Sequence, residues 1–178
     1  IASAVTAMNW AETENKKNHN QYENLSNYWE LPGERNLAAA ELYRATGDQQ
    51  WHDMFLASTV FTQANAKAAQ NNKFTKYDQR DAGFVYARTE RPVDGAVQAN
   101  ARAGVIRSGD KRLDAINNTG FKWSKDPGAP FGWGANDGST DRSDVLRAHF
   151  LSGDKKYLAG AVLASQFIGG ANPDNVSY

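Results

Sequence analysis

One three-residue signature recurs along the chain. A hydroxyl residue, Gly and Asp follow one another at Thr46-Gly47-Asp48, Ser108-Gly109-Asp110 and Ser152-Gly153-Asp154. Two polar residues come next each time, then a bulky apolar one: Trp51, Leu113 or Tyr157. Gly adopts the left-handed conformation that ends a helix without a Cβ clash. An Asp just beyond it can accept from the free N–H groups of the next helix. The flanking stretches are helix formers. "ERNLAAAELYRA" precedes the first copy, "VDGAVQANARAGVIR" and "KRLDAINNTG" flank the second, and "DRSDVLRAHFL" and "KKYLAGAVLASQFIG" flank the third. Each copy therefore predicts helix, tight turn, helix, which is an antiparallel hairpin. Three such hairpins joined by longer loops predict an all-α chain built as a solenoid or a closed toroid. In the last helix Leu158, Val162, Ser165 and Ile168 share one side, with Ala161 and Ala164 beside them, and this is the expected apolar face. No long alternating Val/Ile/Thr run predicts a substantial strand.

Twenty Lys plus Arg balance 20 Asp plus Glu, so charge gives no reason to expect a nucleic-acid or membrane surface as partner. No apolar run is long enough for a transmembrane helix. With no cysteine, the redox compartment is unreadable. The chain opens at Ile1 inside a helix-forming stretch and stops at Tyr178 just after a turn. The expectation is that residues 1–178 are part of one domain, an interior piece of a longer protein.

Two long linking segments, Asn15 to Glu34 and Phe121 to Asp141, carry aromatics, Gly and Pro. Such loops in a compact helical protein are usually functional. Aromatic faces stack on the apolar faces of sugar rings, so Tyr28, Trp29, Trp133, Asn136 and Asp137 can line a carbohydrate cleft. In "FGWGAND", Gly132 and Gly134 let backbone approach whatever sits there. Either kind of loop Trp also serves simply to pin a loop to the helical core. Asp78 and Asp81 would share a face if helical, offering an acid/base pair. The competing reading is a helix N-terminus bearing acids that its dipole favours. His19, His52 and His149 lack metal-ligand spacing: His19 reads as a solvated loop residue, and His52 and His149 as residues of helix surfaces. No phosphate loop, dinucleotide fingerprint or nucleophile elbow is present. No cofactor is implied, and a structural calcium ion is left open, with no Asp-rich calcium loop in the sequence.

The order "SAVTAMNWAE", "RNLAAAELYRATGD", "FGWGANDG" and "SGDKKYLAGAVLASQFIGGANPDNVSY" resembles glycoside hydrolase family 9. These are cellulases and related β-glucan hydrolases with an (α/α)6 toroid. The likeness covers most of the chain and is looser over Phe55 to Asn118. It implies an inverting hydrolase in which one carboxylate activates water and a carboxylic acid protonates the leaving oxygen. It also implies that both groups lie outside this chain. The family's Asp-Ala-Gly-Asp motif is absent, "RDAGF" at Arg80 ends in Phe84, and the family's proton-donor Glu falls beyond Tyr178. Carried over from the resemblance are Trp133 as a sugar-stacking residue with Asn136 beside it, and Trp29 or Tyr28 as the aromatic before the "AAELY" helix. Where the family has an Asp, this chain has Gly33 followed by Glu34, which implies a different subsite preference. The implied partners are a β-glucan or oligosaccharide and the remainder of the same catalytic domain, and the implied location is secreted or periplasmic.

Two rivals stand beside the hydrolase: a non-catalytic helical carbohydrate-binding protein, and a helical scaffold for protein partners. Polysaccharide lyases and sugar epimerases share related helical toroids, but place a His or Tyr base in the cleft. A piece of a toroid is also expected to expose apolar helix faces larger than a soluble monomer shows.

Overall fold

The computed structural model describes residues 1–17, 31–71, 76–124 and 143–172. Among them are seven α-helices and one two-stranded sheet, so the expected all-α class is observed. The chain divides into two compact units, Ile1–Gly104 and Val105–Tyr178.

The first unit begins with α1 (Ala2–Lys17), followed by α2 (Leu31–Thr46) and α3 (Gln49–Ser58). A single 3-10 turn, Val60–Thr62, follows, then β1 (Ala69–Asn71) and β2 (Lys76–Asp78), which pair antiparallel with Gln70 opposite Tyr77. Next comes α4 (Arg80–Ala87) and the start of α5 (Gly95–Asn118). The α2–α3 hairpin matches the signature residue by residue. Gly47 adopts φ +73° and its N–H donates to the Tyr43 carbonyl. The Thr46 hydroxyl accepts from Asp48 N at 3.1 Å. The Asp48 carboxylate accepts from Gln50 N at 3.2 Å and caps α3. The hairpin core holds Met8, Leu42, Tyr43 and the buried Trp51. Arg91 lies under the turn, its Nε donating to the Arg44 carbonyl at 3.2 Å.

The second unit holds the rest of α5, then α6 (Ser143–Ser152) and α7 (Lys155–Ile168). The α6–α7 turn repeats the same construction. Gly153 has φ +73°, the Ser152 hydroxyl accepts from Asp154 N at 3.1 Å, and Asp154 accepts from Lys156 N at 2.9 Å. Leu113, Ile116, Val145, Ala148, Tyr157, Ala161 and Ala164 form one core cluster.

Two expectations are corrected. Ser108-Gly109-Asp110 is not a turn, because α5 runs unbroken through it. Gly109 is buried against α6, and Asp110 accepts from the Tyr157 hydroxyl at 2.7 Å instead of capping a helix. The face of α7 turned to the core carries Tyr157, Gly160, Ala161, Ala164 and Phe167, while Leu158 and Val162 are 44% and 55% exposed. On α6, Leu146 and Phe150 are exposed as well, so apolar residues stand on the outer faces of both helices of this hairpin.

Candidate functional site

Of the candidate sugar contacts, Tyr28, Trp29, Trp133, Asn136 and Asp137 lie outside the described residues. Glu34 is placed: it is exposed in the first turn of α2, where the N–H groups and the helix dipole favour a carboxylate. Gly33 beside it is buried, and an added Cβ would stand 2.1 Å from the Asp78 carbonyl oxygen. That contact accounts for glycine where the resembling family has Asp. The backbone of α2 meets the end of β2 too closely for any side chain.

Asp78 and Asp81 do not form the helical pair. Asp78 closes β2 and is bound by its neighbour, with Arg80 Nη2 donating to Oδ2 at 2.5 Å. Asp81 is exposed in the first turn of α4. The arrangement is that of acids at a helix start, not of two carboxylates flanking a bond.

His52 is also corrected. It is buried, not on a helix surface. Gln49 Nε2 stands 3.0 Å from Nδ1 and donates to Asp53 at 2.9 Å. With Gln49 as donor, Nδ1 accepts, so Nε2 carries the proton and donates to the Tyr86 hydroxyl oxygen at 2.9 Å. Asp94 N donates to the same oxygen at 3.3 Å. Tyr86 is 1% exposed and stacks on Phe55 at 4.3 Å. Burial pushes its hydroxyl up to about 12, the Asp94 hydrogen bond opposing and the Asp94 charge adding to that shift. This group is packed between α3 and α4 and organises the hairpin core. His149 stays at the surface, its Nδ1 donating to the Asp154 carbonyl at 3.0 Å.

Sequence reasoning missed a second group, at the two ends of the aromatic segment 125–142. Ser124, the residue before it, is fully buried, and its carbonyl accepts from Arg112 Nη1. Asp144, in the first turn of α6, is 3% exposed. Arg112 Nη2 stands 3.7 Å from one carboxylate oxygen and Arg147 Nη1 3.3 Å from the other. Trp123 stacks parallel to Phe167 at 5.8 Å, and its carbonyl accepts from the Thr119 hydroxyl at 3.0 Å. No local signal joins Arg112 to Ser124 and Asp144. They meet only because α5 and α6 pack together.

Helical hairpins closed by left-handed glycines, in both units, define an all-helical fold built from antiparallel helix pairs. Among solved structures the chain is similar to the crystal structure of GH family 9 endoglucanase J30, at 23% identity and a TM-score of 0.68, over 83% of this chain and 26% of that one. It is likewise similar to a Zn-binding triple mutant of the same endoglucanase, at 23% identity and a TM-score of 0.67, over 82% of this chain and 26% of that one. At this identity the likeness establishes the fold, and the chain spans about a quarter of the length of these solved chains. No protein-family profile matches the chain. No curated protein matches it either.

Proposed function

We propose that this chain is part of a family 9 glycoside hydrolase that cleaves β-linked glucan by inverting acid/base hydrolysis, and that it forms cleft wall and sugar subsites. The observation that carries this reading is the fold likeness to a family 9 endoglucanase over most of the chain. The order of motifs from "RNLAAAELYRATGD" to "GANPDNVSY" supports it. In this reading Trp133 stacks on a glucosyl ring, Asn136 hydrogen-bonds its hydroxyls, and Tyr28 or Trp29 supplies a second platform. Glu34, exposed at the start of α2, accepts from a sugar hydroxyl. The carboxylate that activates water and the acid that protonates the leaving oxygen come from the remainder of the catalytic domain. The chain's own residues bind and orient the glucan for that attack, and orientation lowers the barrier. The reading includes no cofactor, and the family resemblance implies a location outside the cell or in the periplasm.

The test is incubation of the protein that carries this chain with cellohexaose, followed by proton NMR of the first anomer released. Release of the α-anomer supports the reading. Binding seen as a change in Trp fluorescence, with no bond cleavage, establishes the non-catalytic carbohydrate-binding alternative. Neither binding nor cleavage of any β-glucan overturns both.

A further inference from the structure

We propose that the outward face of the α6–α7 hairpin is a docking surface for another helix of the same polypeptide, one lying outside residues 1–178. This rests on the part of the functional reading that makes the chain a piece of a larger helical domain, and not on its substrate. Helix α7 has the composition of a buried helix. After Lys155 and Lys156 in its first turn it carries no charged residue as far as Ile168. Its side away from the core nevertheless exposes Leu158, Ala159, Val162, Ser165 and Gln166. A helix without a charged face belongs in an interior, because the solvated side of a surface helix normally carries charge. The α5 residues of the same unit follow that rule, with Arg107, Lys111 and Asp114 on their exposed side.

Helix α6 contributes the matching half. Leu146 and Phe150 are 45% and 65% exposed and stand four residues apart on one side of the helix, as Leu158 and Val162 do on α7. Phe150 and Leu158 each lie four residues from Asp154, and Leu146 and Val162 each lie eight from it. The antiparallel hairpin therefore puts Phe150 level with Leu158 and Leu146 level with Val162 along its length. Rows of side chains four apart are the ridges that seat in the grooves of a neighbouring helix. Single exposed apolar residues are ordinary, but two rows at matched heights mark a contact surface. Three of the four side chains are aliphatic and offer no flat ring to a sugar. The occupant follows from length. This chain matches 26% of the endoglucanase chain whose fold it shares, so most of a helical chain of that fold has no counterpart in residues 1–178.

The experiment uses the full protein that carries this chain. In one arm Val162→Cys and, as a control, Lys155→Cys in the exposed first turn of α7 are alkylated in native buffer and in urea, and the rate is read by mass on the peptide carrying each residue. Val162→Cys is expected to react at least about tenfold more slowly in native buffer than in urea, and Lys155→Cys at nearly the same rate in both. Equal rates for Val162→Cys overturn the proposal. In the other arm leucine is replaced throughout by its diazirine analogue, which adds little bulk, so this arm carries the test if Val162→Cys does not fold. Irradiation is expected to join Leu146 or Leu158 to a peptide of the same polypeptide outside residues 1–178, in a band of monomer mass. Any other result overturns the proposal: a crosslink within residues 1–178, a crosslink in a band of doubled mass, which would make the occupant a second copy, or no crosslink from either leucine. Neither arm contains sugar. Cleavage of cellohexaose therefore judges the hydrolase reading separately, and its absence leaves the docking result standing.

Discussion

The backbone of Gly109 lies against the side chain of Ala148, so closely that a Cβ on Gly109 would stand 2.3 Å from the Ala148 Cβ and 3.0 Å from the Asp144 carbonyl oxygen. Glycine inside a helix normally costs about 1 kcal/mol relative to alanine. Here it permits α5 and α6 to touch. Gly109→Ala is therefore expected to lose about 1–3 kcal/mol through overpacking, outweighing the gain in helix propensity. Gly95→Ala, at a helix start with open space around it, is expected to be neutral or slightly stabilising. Urea denaturation of the two variants checks this, and equal midpoints would mean that α5 and α6 can part without cost.

Asp48 and Asp154 cap α3 and α7 by the same bond to the second residue beyond. Removing either carboxylate with Ala should cost about 1 kcal/mol, the usual worth of an N-cap. Asp110 has the same place in the signature but makes no cap. Asp110→Asn keeps an acceptor for the Tyr157 hydroxyl, so it should cost less than either cap removal. Thermal midpoints of the three variants give the order.

Why two copies of the signature were legible and the third was not follows from where each residue finds its partner. Around Gly47 and Gly153 the hydroxyl, the glycine and the Asp all bond within four residues, so local sequence suffices. Gly109 is explained by Ala148 on another helix, which local pattern cannot show. On α7, ranking by hydrophobicity favours Leu158 and Val162. The buried side instead uses Gly160, Ala161 and Ala164, because small residues let helices approach. The local pattern puts His52 on a helix surface for a related reason: its partner Tyr86 is 34 residues away. Of the candidate site, the sequence shows only residue types, the aromatics of segments 18–30 and 125–142. The group around Arg112 is not legible there, since Ser124 and Asp144 are brought to Arg112 only by the fold.

Tyr86 gives a pH dependence with a definite sign. Its hydroxyl titrates near 10 when unfolded and is pushed up to about 12 in the folded chain, mainly by burial. The folded state thus holds the proton more tightly, and its contribution to stability is complete below pH 10 and lost as pH rises toward 12. Tyr77 and Tyr157 are also raised, so the whole chain loses stability across this range. Tyr86→Phe should reduce the slope of unfolding free energy against pH above 10 while leaving the curve near neutrality parallel to that of the unsubstituted chain. An unaltered slope would show that the buried hydroxyl does not set the alkaline limit.

Helix α1 buries only Met8 and is joined to α2 by a two-pronged pair, Arg35 Nε to Glu12 Oε1 at 2.6 Å and Nη2 to Oε2 at 2.9 Å. Arg35 also donates to the Ser58 hydroxyl at 3.2 Å, so the same guanidinium reaches the end of α3. Hydrogen bonds to charged groups are worth about 1.5–3 kcal/mol each when partly shielded, and so little apolar surface on α1 makes this pair its principal attachment. Glu12→Gln should therefore speed amide exchange across residues 2–17 by about tenfold, as local opening becomes easier, with little change in α3 and α4. Met8→Ala should act on the same residues through lost packing. If Glu12→Gln instead accelerates exchange throughout the first unit, α1 is part of the cooperative core and its attachment through Arg35 stabilises the whole unit, not one helix.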